Sequence, residues 1–131
     1  MVFLRTSLLL MAVLICFGCS VFKSIQPRPQ NEGEQRLSAG IKHYEDGQYK
    51  DATKLLQEAL YQGLPEKRDQ VTARKYLAFI YCISNQKRKC SNEFKKALLL
   101  DPDFQLEAAE AGHPAWGPVF RSVKAKLPRK D

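Results

Sequence analysis

The chain has 131 residues, of which 21 are Lys or Arg and 14 are Asp or Glu, so its formal charge is +7 at neutral pH. This length suffices for one hydrophobic core of ordinary domain size, roughly 100 to 150 residues. The sequence holds neither a glycine-rich phosphate loop nor a cluster of residues with metal-ligand spacing. We therefore expect no metal and no dissociable cofactor.

The first predicted element is a secretory signal that ends before Cys19. Arg5 supplies a positive start, residues 7–17 form an almost unbroken apolar run, and a small residue precedes the cysteine. This layout resembles the lipobox of bacterial lipoproteins. The resemblance implies removal of residues 1–18, a diacylglycerol on the Cys19 thiol and an acyl chain on its new amino group. By resemblance to enterobacterial sorting, Ser20 favours an outer-membrane location that faces the periplasm.

Two alternatives to lipidation remain open, namely a signal cut at another site and an uncleaved anchor. The charge-free stretch from Thr6 to Phe22 is at the lower edge of the roughly 17 to 25 residues that a membrane-spanning helix needs, which disfavours the anchor. Two acyl chains, in contrast, would give stable membrane attachment.

Residues 19–33 are predicted to be a lipidated flexible tether. They contain Pro27 and Pro29 and show no apolar period. Such a segment would hold the following domain away from the membrane without fixing its orientation.

Residues 34–104 are predicted to form two helix-turn-helix units, because small and large residues recur at a separation of 38, as between Ala52 and Cys90. The positions that keep the pattern are Gly40, Tyr44, Gly47, Tyr49, Ala52, Leu56 and Ala59 in the first unit, and Leu77, Ala78, Tyr81, Phe94, Ala97, Asp101 and Pro102 in the second. The pattern resembles the tetratricopeptide repeat (TPR), an antiparallel helix pair of about 34 residues. This resemblance implies an all-α fold. Arg36 and Arg74 stand where the family commonly has Trp, and the longer period implies about one additional helical turn near residues 63–68.

Residues 105–131 are predicted to form a loop and a C-terminal capping helix over residues 115–127. Two repeat units leave an apolar face uncovered, since about three are normally needed for a stable stack. Five apolar residues fall at helical spacing and would form one stripe: Trp116, Val119, Phe120, Val123 and Leu127. The alternative is that this amphipathic segment docks on a partner or a membrane.

Cys82 and Cys90 are the two cysteines that remain once Cys16 leaves with the signal and Cys19 is lipidated. They are eight residues apart across a predicted helix-turn-helix, so a disulfide between the facing helices is expected in an oxidising periplasm. The alternative is two buried small residues, since free cysteine often behaves as a compact core residue.

A partner-binding groove is implied by the TPR resemblance, because the first helix of each unit lines a concave surface in that family. The matching positions are Leu37, Ile41, Tyr44, Lys75, Phe79 and Ile83. With Glu34 beside them, these positions mix apolar anchors with one anion and one cation, which suits an extended segment or an amphipathic helix. The alternative is that the chain's own tail or tether covers these residues.

No catalytic constellation is recognised, so the sequence predicts a protein without enzymatic activity. Ser122 with His113 is a conceivable nucleophile and base, but no nucleophile elbow, oxyanion loop or acid partner accompanies them in the sequence. We expect His113 to make helix-cap or loop-anchoring hydrogen bonds. An envelope hydrolase or peptidoglycan-acting protein is the alternative of another class.

Together these features favour an outer-membrane scaffold or adaptor that binds another envelope protein. Residues 104–117 also resemble small TPR lipoproteins associated with type VI secretion, which implies a role accessory to that machine. A second resemblance is to pilotins, which escort pilus or secretion-channel subunits. The basic charge would also suit nucleic acid, but an exported, tethered domain rarely meets any, and no small-molecule substrate is expected.

Overall fold

The computed structural model describes residues 29–128, and these residues form helices without any strand. The predicted signal peptide, Cys19 and most of the predicted tether lie outside the described residues. The helices are α1 (Glu32–Glu45), α2 (Tyr49–Gln62), α3 (Lys67–Ile83), α4 (Lys87–Leu100), α5 (Ala108–Ala111) and α6 (Gly117–Lys126). Helix α1 packs along α2 and α3 packs along α4, while α6 packs on α4. The prediction of an all-α chain with two helix-turn-helix units and a C-terminal helix is confirmed.

Helix α1 begins at Glu32, two residues before the predicted start of the first helix-turn-helix unit at residue 34. Its N-cap is Asn31, whose side chain accepts a hydrogen bond from the Glu34 N–H at 2.8 Å, while the Glu34 carboxylate accepts one from the Asn31 N–H at 2.8 Å. This reciprocal capping box satisfies donors that the first turn of a helix leaves open. Gly33 lies inside the helix, where a Cβ would collide with the carbonyl oxygen of Gly63. A glycine here therefore lets α1 approach the end of α2.

The two turns, which are 38 residues apart in the sequence, also have similar backbone conformations. Gly47 has φ of 74° and its counterpart Asn85 has φ of 59°, a left-handed conformation that glycine and asparagine tolerate best. The turns also share their closing hydrogen bonds, from the Gln48 N–H to the His43 carbonyl and from the Gln86 N–H to the Tyr81 carbonyl, at 2.8 Å each. Helix α3 has 17 residues, whereas α1, α2 and α4 have 14 each. Most of the additional turn therefore lies at the start of α3.

An arginine joins the two helices within each hairpin. Arg36 in α1 pairs with Glu58 in α2 at 2.5 Å, and Arg74 in α3 pairs with Glu93 in α4 at 3.0 Å. In the TPR family, which the sequence resembles, Trp is common at these two positions. In each hairpin the guanidinium reaches a carboxylate of the facing helix, a charge-assisted contact.

A disulfide links the second hairpin at its turn. Cys82 at the end of α3 and Cys90 in the first turn of α4 are bonded, with their Cα atoms 5.2 Å apart. Both residues lie within the hydrophobic core, and Cys90 is fully buried. At the equivalent positions of the first hairpin, Tyr44 and Ala52 make no covalent link.

Helix α6 begins at Gly117 rather than at residue 115 and carries Pro118 in its first turn, where a missing N–H costs no helical hydrogen bond. Phe120 on α6 lies edge-to-face against Phe94 of α4, with ring centroids 5.2 Å apart. Trp116, just before the helix, and Phe120 are both buried. The C-terminal helix thus extends the hydrophobic core of the second hairpin. None of the helices between residues 29 and 128 has the length and apolar content to cross a membrane.

Candidate binding surfaces

The six residues of the predicted groove do not form one open surface. Phe79 is 2% exposed and Leu37 is 6% exposed, so both belong to the core. Ile41 and Tyr44 are half-buried and pack against that core. Ile83 is the most exposed of the six, at 37%.

The chain's own C-terminal segment covers the part of the groove around Phe79 and Lys75. The Trp116 ring stacks on Phe79 with centroids 4.2 Å apart, and its Nε1–H donates to the Glu110 carbonyl at 2.9 Å. The Lys75 ammonium pairs with the Glu110 carboxylate at 2.5 Å, and both side chains are mostly buried. This arrangement corresponds to the self-covered alternative, so a partner could reach these residues only by displacing packed aromatic rings.

Tyrosines complete an aromatic cluster at the other end of the same groove. Tyr44 meets Tyr76 edge-to-face at 4.9 Å and lies 6.4 Å from Phe79. Burial raises the pKa of Tyr44 to about 12, with smaller contributions from Tyr49, Tyr76 and Glu110. Burial likewise raises the pKa of Tyr76. Both phenols remain neutral at ordinary pH, which is consistent with packing rather than acid–base chemistry.

His113 has the loop-anchoring role that the sequence suggested. Its ring lies parallel to Trp116 with centroids 3.4 Å apart, and its Nδ1 accepts the Ala115 N–H at 3.2 Å. Ser122 is exposed on α6, and no hydrogen bond joins it to His113 within residues 29–128. The imidazole therefore fixes the loop that leads into α6.

A cleft between α4 and α6 is the surface that sequence reasoning missed. It has a volume of about 620 Å³. Its lining is mostly apolar, with two cations at the rim, and consists of Leu98, Leu99, Pro102, Gln105, Phe120, Arg121, Lys124, Ala125, Leu127 and Pro128. Leu99 is 63% exposed, whereas Leu98 and Phe120 are buried and form the floor. The signal in the sequence is the run Leu98 to Leu100, because three consecutive residues of a helix cannot all face the same core.

The two cations of the cleft are held in place by backbone oxygens. The Lys124 ammonium donates to the Phe104 carbonyl at 2.8 Å, and an Arg121 N–H donates to the Ala111 carbonyl at 3.2 Å. Neither side chain has a carboxylate partner among the described residues, and no acidic residue lines the cleft. Within the part of the chain that the structure describes, the positive charge at this cleft therefore has no carboxylate counter-charge.

No protein-family model, curated protein or solved structure matches this chain. Within residues 29–128, no group of three or more His, Cys, Asp and Glu residues is arranged so that it could hold a metal ion.

Proposed function

We propose that this protein is a lipid-anchored, non-catalytic scaffold or adaptor that binds another protein of the bacterial envelope. The observation that carries the proposal is the open cleft between α4 and α6, where Leu99 remains 63% exposed. A recessed apolar surface with a polar rim is the usual character of an interaction site on a small protein.

The proposed location is the periplasmic face of the outer membrane. Two features support export, namely the lipobox-like sequence before Cys19 and the disulfide between Cys82 and Cys90, because disulfides persist mainly in oxidising compartments. The resemblance of residues 104–117 to type VI secretion lipoproteins makes that machine the first candidate source of the partner.

The proposed partner does not use the groove around Phe79. That groove is filled by Trp116 and closed by the Lys75–Glu110 pair. In this proposal the C-terminal segment stabilises the hairpins, and binding occurs in the cleft that its helix α6 forms with α4.

The experiment that tests the function is photo-crosslinking in intact bacteria, followed by membrane purification and mass spectrometry. The full-length chain carries the crosslinker at Leu99 or, as a matched control, at Tyr61, which is 88% exposed on α2. Each form is compared with the same chain carrying Cys19→Ala. We expect diacylglycerol on Cys19, membrane fractionation, and one envelope protein that crosslinks from Leu99 but not from Tyr61 and captures this chain in the reciprocal experiment.

Two outcomes would count against the proposal. An unmodified Cys19 in a chain that fractionates with soluble proteins would remove the lipid anchor. If the chain is folded and lipidated but no envelope protein crosslinks to it in both directions, the adaptor role is wrong.

A further inference from the structure

We infer that the cleft between α4 and α6 binds an acidic amphipathic helix of the protein partner. This inference rests on the proposed adaptor function and names the chemistry that the cleft recognises. Three properties of the cleft carry it: a recessed apolar floor, its position at the end of the helical stack, and the two cations at its rim.

The apolar floor is recessed rather than protruding. Leu98 and Phe120 are only 2% and 5% exposed, yet both line the open cleft, and Leu99 stands at its edge. A recessed floor accepts side chains that a partner inserts. A membrane surface would instead need apolar side chains that project outward into the acyl region. The shape therefore favours a protein ligand over a lipid surface.

The position of the cleft favours a helical ligand. Helix α6 packs on α4, and the cleft follows the seam between the two helices. In a stack of helices, the terminal seam is where the next helix would pack. A partner helix would present residues at spacings of three, four and seven to such a seam, so that its apolar face meets Leu98, Leu99 and Phe120.

The charge of the rim favours an acidic ligand. Arg121 and Lys124 line the cleft, no carboxylate of residues 29–128 lines it, and both cations donate hydrogen bonds to backbone carbonyls. Fixed charges at the edge of an apolar seam select a partner with the opposite sign and set its orientation. A helix with Glu or Asp beside its apolar stripe would pack its apolar residues against the floor and pair its carboxylates with the cations at the rim.

The test uses the purified full-length chain in detergent and a fluorescent acidic amphipathic peptide of roughly 15 to 20 residues, the length at which an isolated helix becomes sustainable. A second peptide has Lys at every Glu position. Fluorescence anisotropy measures both affinities for wild type and for Leu99→Asp, Arg121→Glu and Tyr61→Ala. Leu99 and Arg121 are exposed, and circular dichroism with Trp116 emission verifies that each variant is folded.

We expect the acidic peptide to bind wild type and Tyr61→Ala equally. Leu99→Asp and Arg121→Glu should each weaken binding by at least roughly tenfold, which is a large change for one contact. Added salt should weaken binding to wild type, since screening reduces the attraction between exposed charges. The basic peptide should not bind.

Three results would overturn the inference. The first is equal affinity of the acidic and basic peptides, and the second is loss of binding in Tyr61→Ala but not in the cleft variants. The third is binding of anionic phosphatidylglycerol vesicles that the cleft variants abolish, with no peptide binding, which would make the cleft a lipid-contact surface. If Leu99→Asp still captures the envelope partner in cells, the adaptor function stands and the cleft assignment fails. If the peptide binds the cleft but cells yield no partner, the cleft assignment stands and the adaptor function fails.

Discussion

Replacing Phe79 by alanine tests whether the C-terminal segment belongs to the same core as the two hairpins. The Phe79 ring is 2% exposed and contacts four other rings, with centroid distances of 4.2 Å to Trp116, 6.0 Å to Tyr76, 6.1 Å to Phe94 and 6.4 Å to Tyr44. Truncation of a buried Phe to Ala costs about 3 to 5 kcal/mol. A domain of this size has a free energy of unfolding of about 5 to 15 kcal/mol. We therefore expect Phe79→Ala to remain folded but to lose a large part of its stability.

The assay is urea unfolding followed by two probes. Circular dichroism reports all helices, whereas fluorescence reports the C-terminal segment, because Trp116 is the single tryptophan of the chain. With a dependence of about 1 to 3 kcal/mol per molar urea, a loss of 3 to 5 kcal/mol lowers the midpoint by more than about 1 M. For wild type, both probes should give the same midpoint, as one cooperative unit requires.

Ile83→Ala is the matched control on the same helix. Ile83 is 37% exposed, so its truncation should cost less than half as much as that of Phe79. Two results would refute the reasoning. One is a loss of less than about 1 kcal/mol for Phe79→Ala, far below the usual cost for a buried ring. The other is a wild-type fluorescence midpoint well below the helical midpoint, which would mean that the segment detaches first and that the groove opens to partners.

Three further predictions concern the disulfide, the half-buried Tyr44 phenol and the start of α6. Closing a loop of eight residues between Cys82 and Cys90 contributes about 2 to 3 kcal/mol. Reduction should lower the urea midpoint of wild type correspondingly and leave the double alanine variant unchanged, and an equal response of both would contradict this contribution. Burial raises the pKa of Tyr44 to about 12, above the value of about 10 for an unfolded tyrosine. The folded state binds this proton more tightly, so the associated stability is fully present below pH about 10 and is lost as pH rises towards about 12. Urea titrations across that range should show a shallower decline for Tyr44→Phe, and identical slopes would contradict the assignment. Gly117→Ala should destabilise the chain by roughly 1 to 3 kcal/mol because its Cβ would overlap a backbone carbonyl of α5, whereas Gly112→Ala, with nothing within 4 Å of its Cβ, should change stability by less than about 0.5 kcal/mol. Thermal unfolding measures the melting temperatures of the two variants. Equal melting temperatures would contradict the close approach of Gly117 to the Ala111 carbonyl.

The helices and turns could be predicted because they depend on residues close in sequence. Gly47 and Asn85 mark the two turns at the same register, and both adopt positive φ. The spacing of Cys82 and Cys90 likewise placed both sulfurs at one turn. The predicted start of the first unit, residue 34, is two residues later than the start of α1, because in the sequence alone Gly33 indicates a loop and its close approach to Gly63 is not visible.

The surfaces could not be predicted from the sequence, because they depend on which helix face meets which. The ion pair between Lys75 and Glu110 joins residues that are 35 positions apart in the sequence. Residues 104–116 show no apolar period from which their packing on α3 could be predicted. The TPR resemblance implied that Phe79 lies on the groove face. It could not tell whether Trp116 or a partner would cover that face.

The disulfide also determines how this chain would respond to a pulling force. When the two ends are drawn apart, tension passes from Cys82 to Cys90 through the sulfur–sulfur bond and does not reach the turn between them. The shielded residues correspond to about 25 Å of chain at full extension. No such bond protects the first hairpin, whose turn at Gly47 carries the full load. Because the disulfide itself spans 5.2 Å between the two Cα atoms, a chain held at its N-terminus and pulled at its C-terminus would lengthen by about 20 Å less when oxidised than when reduced.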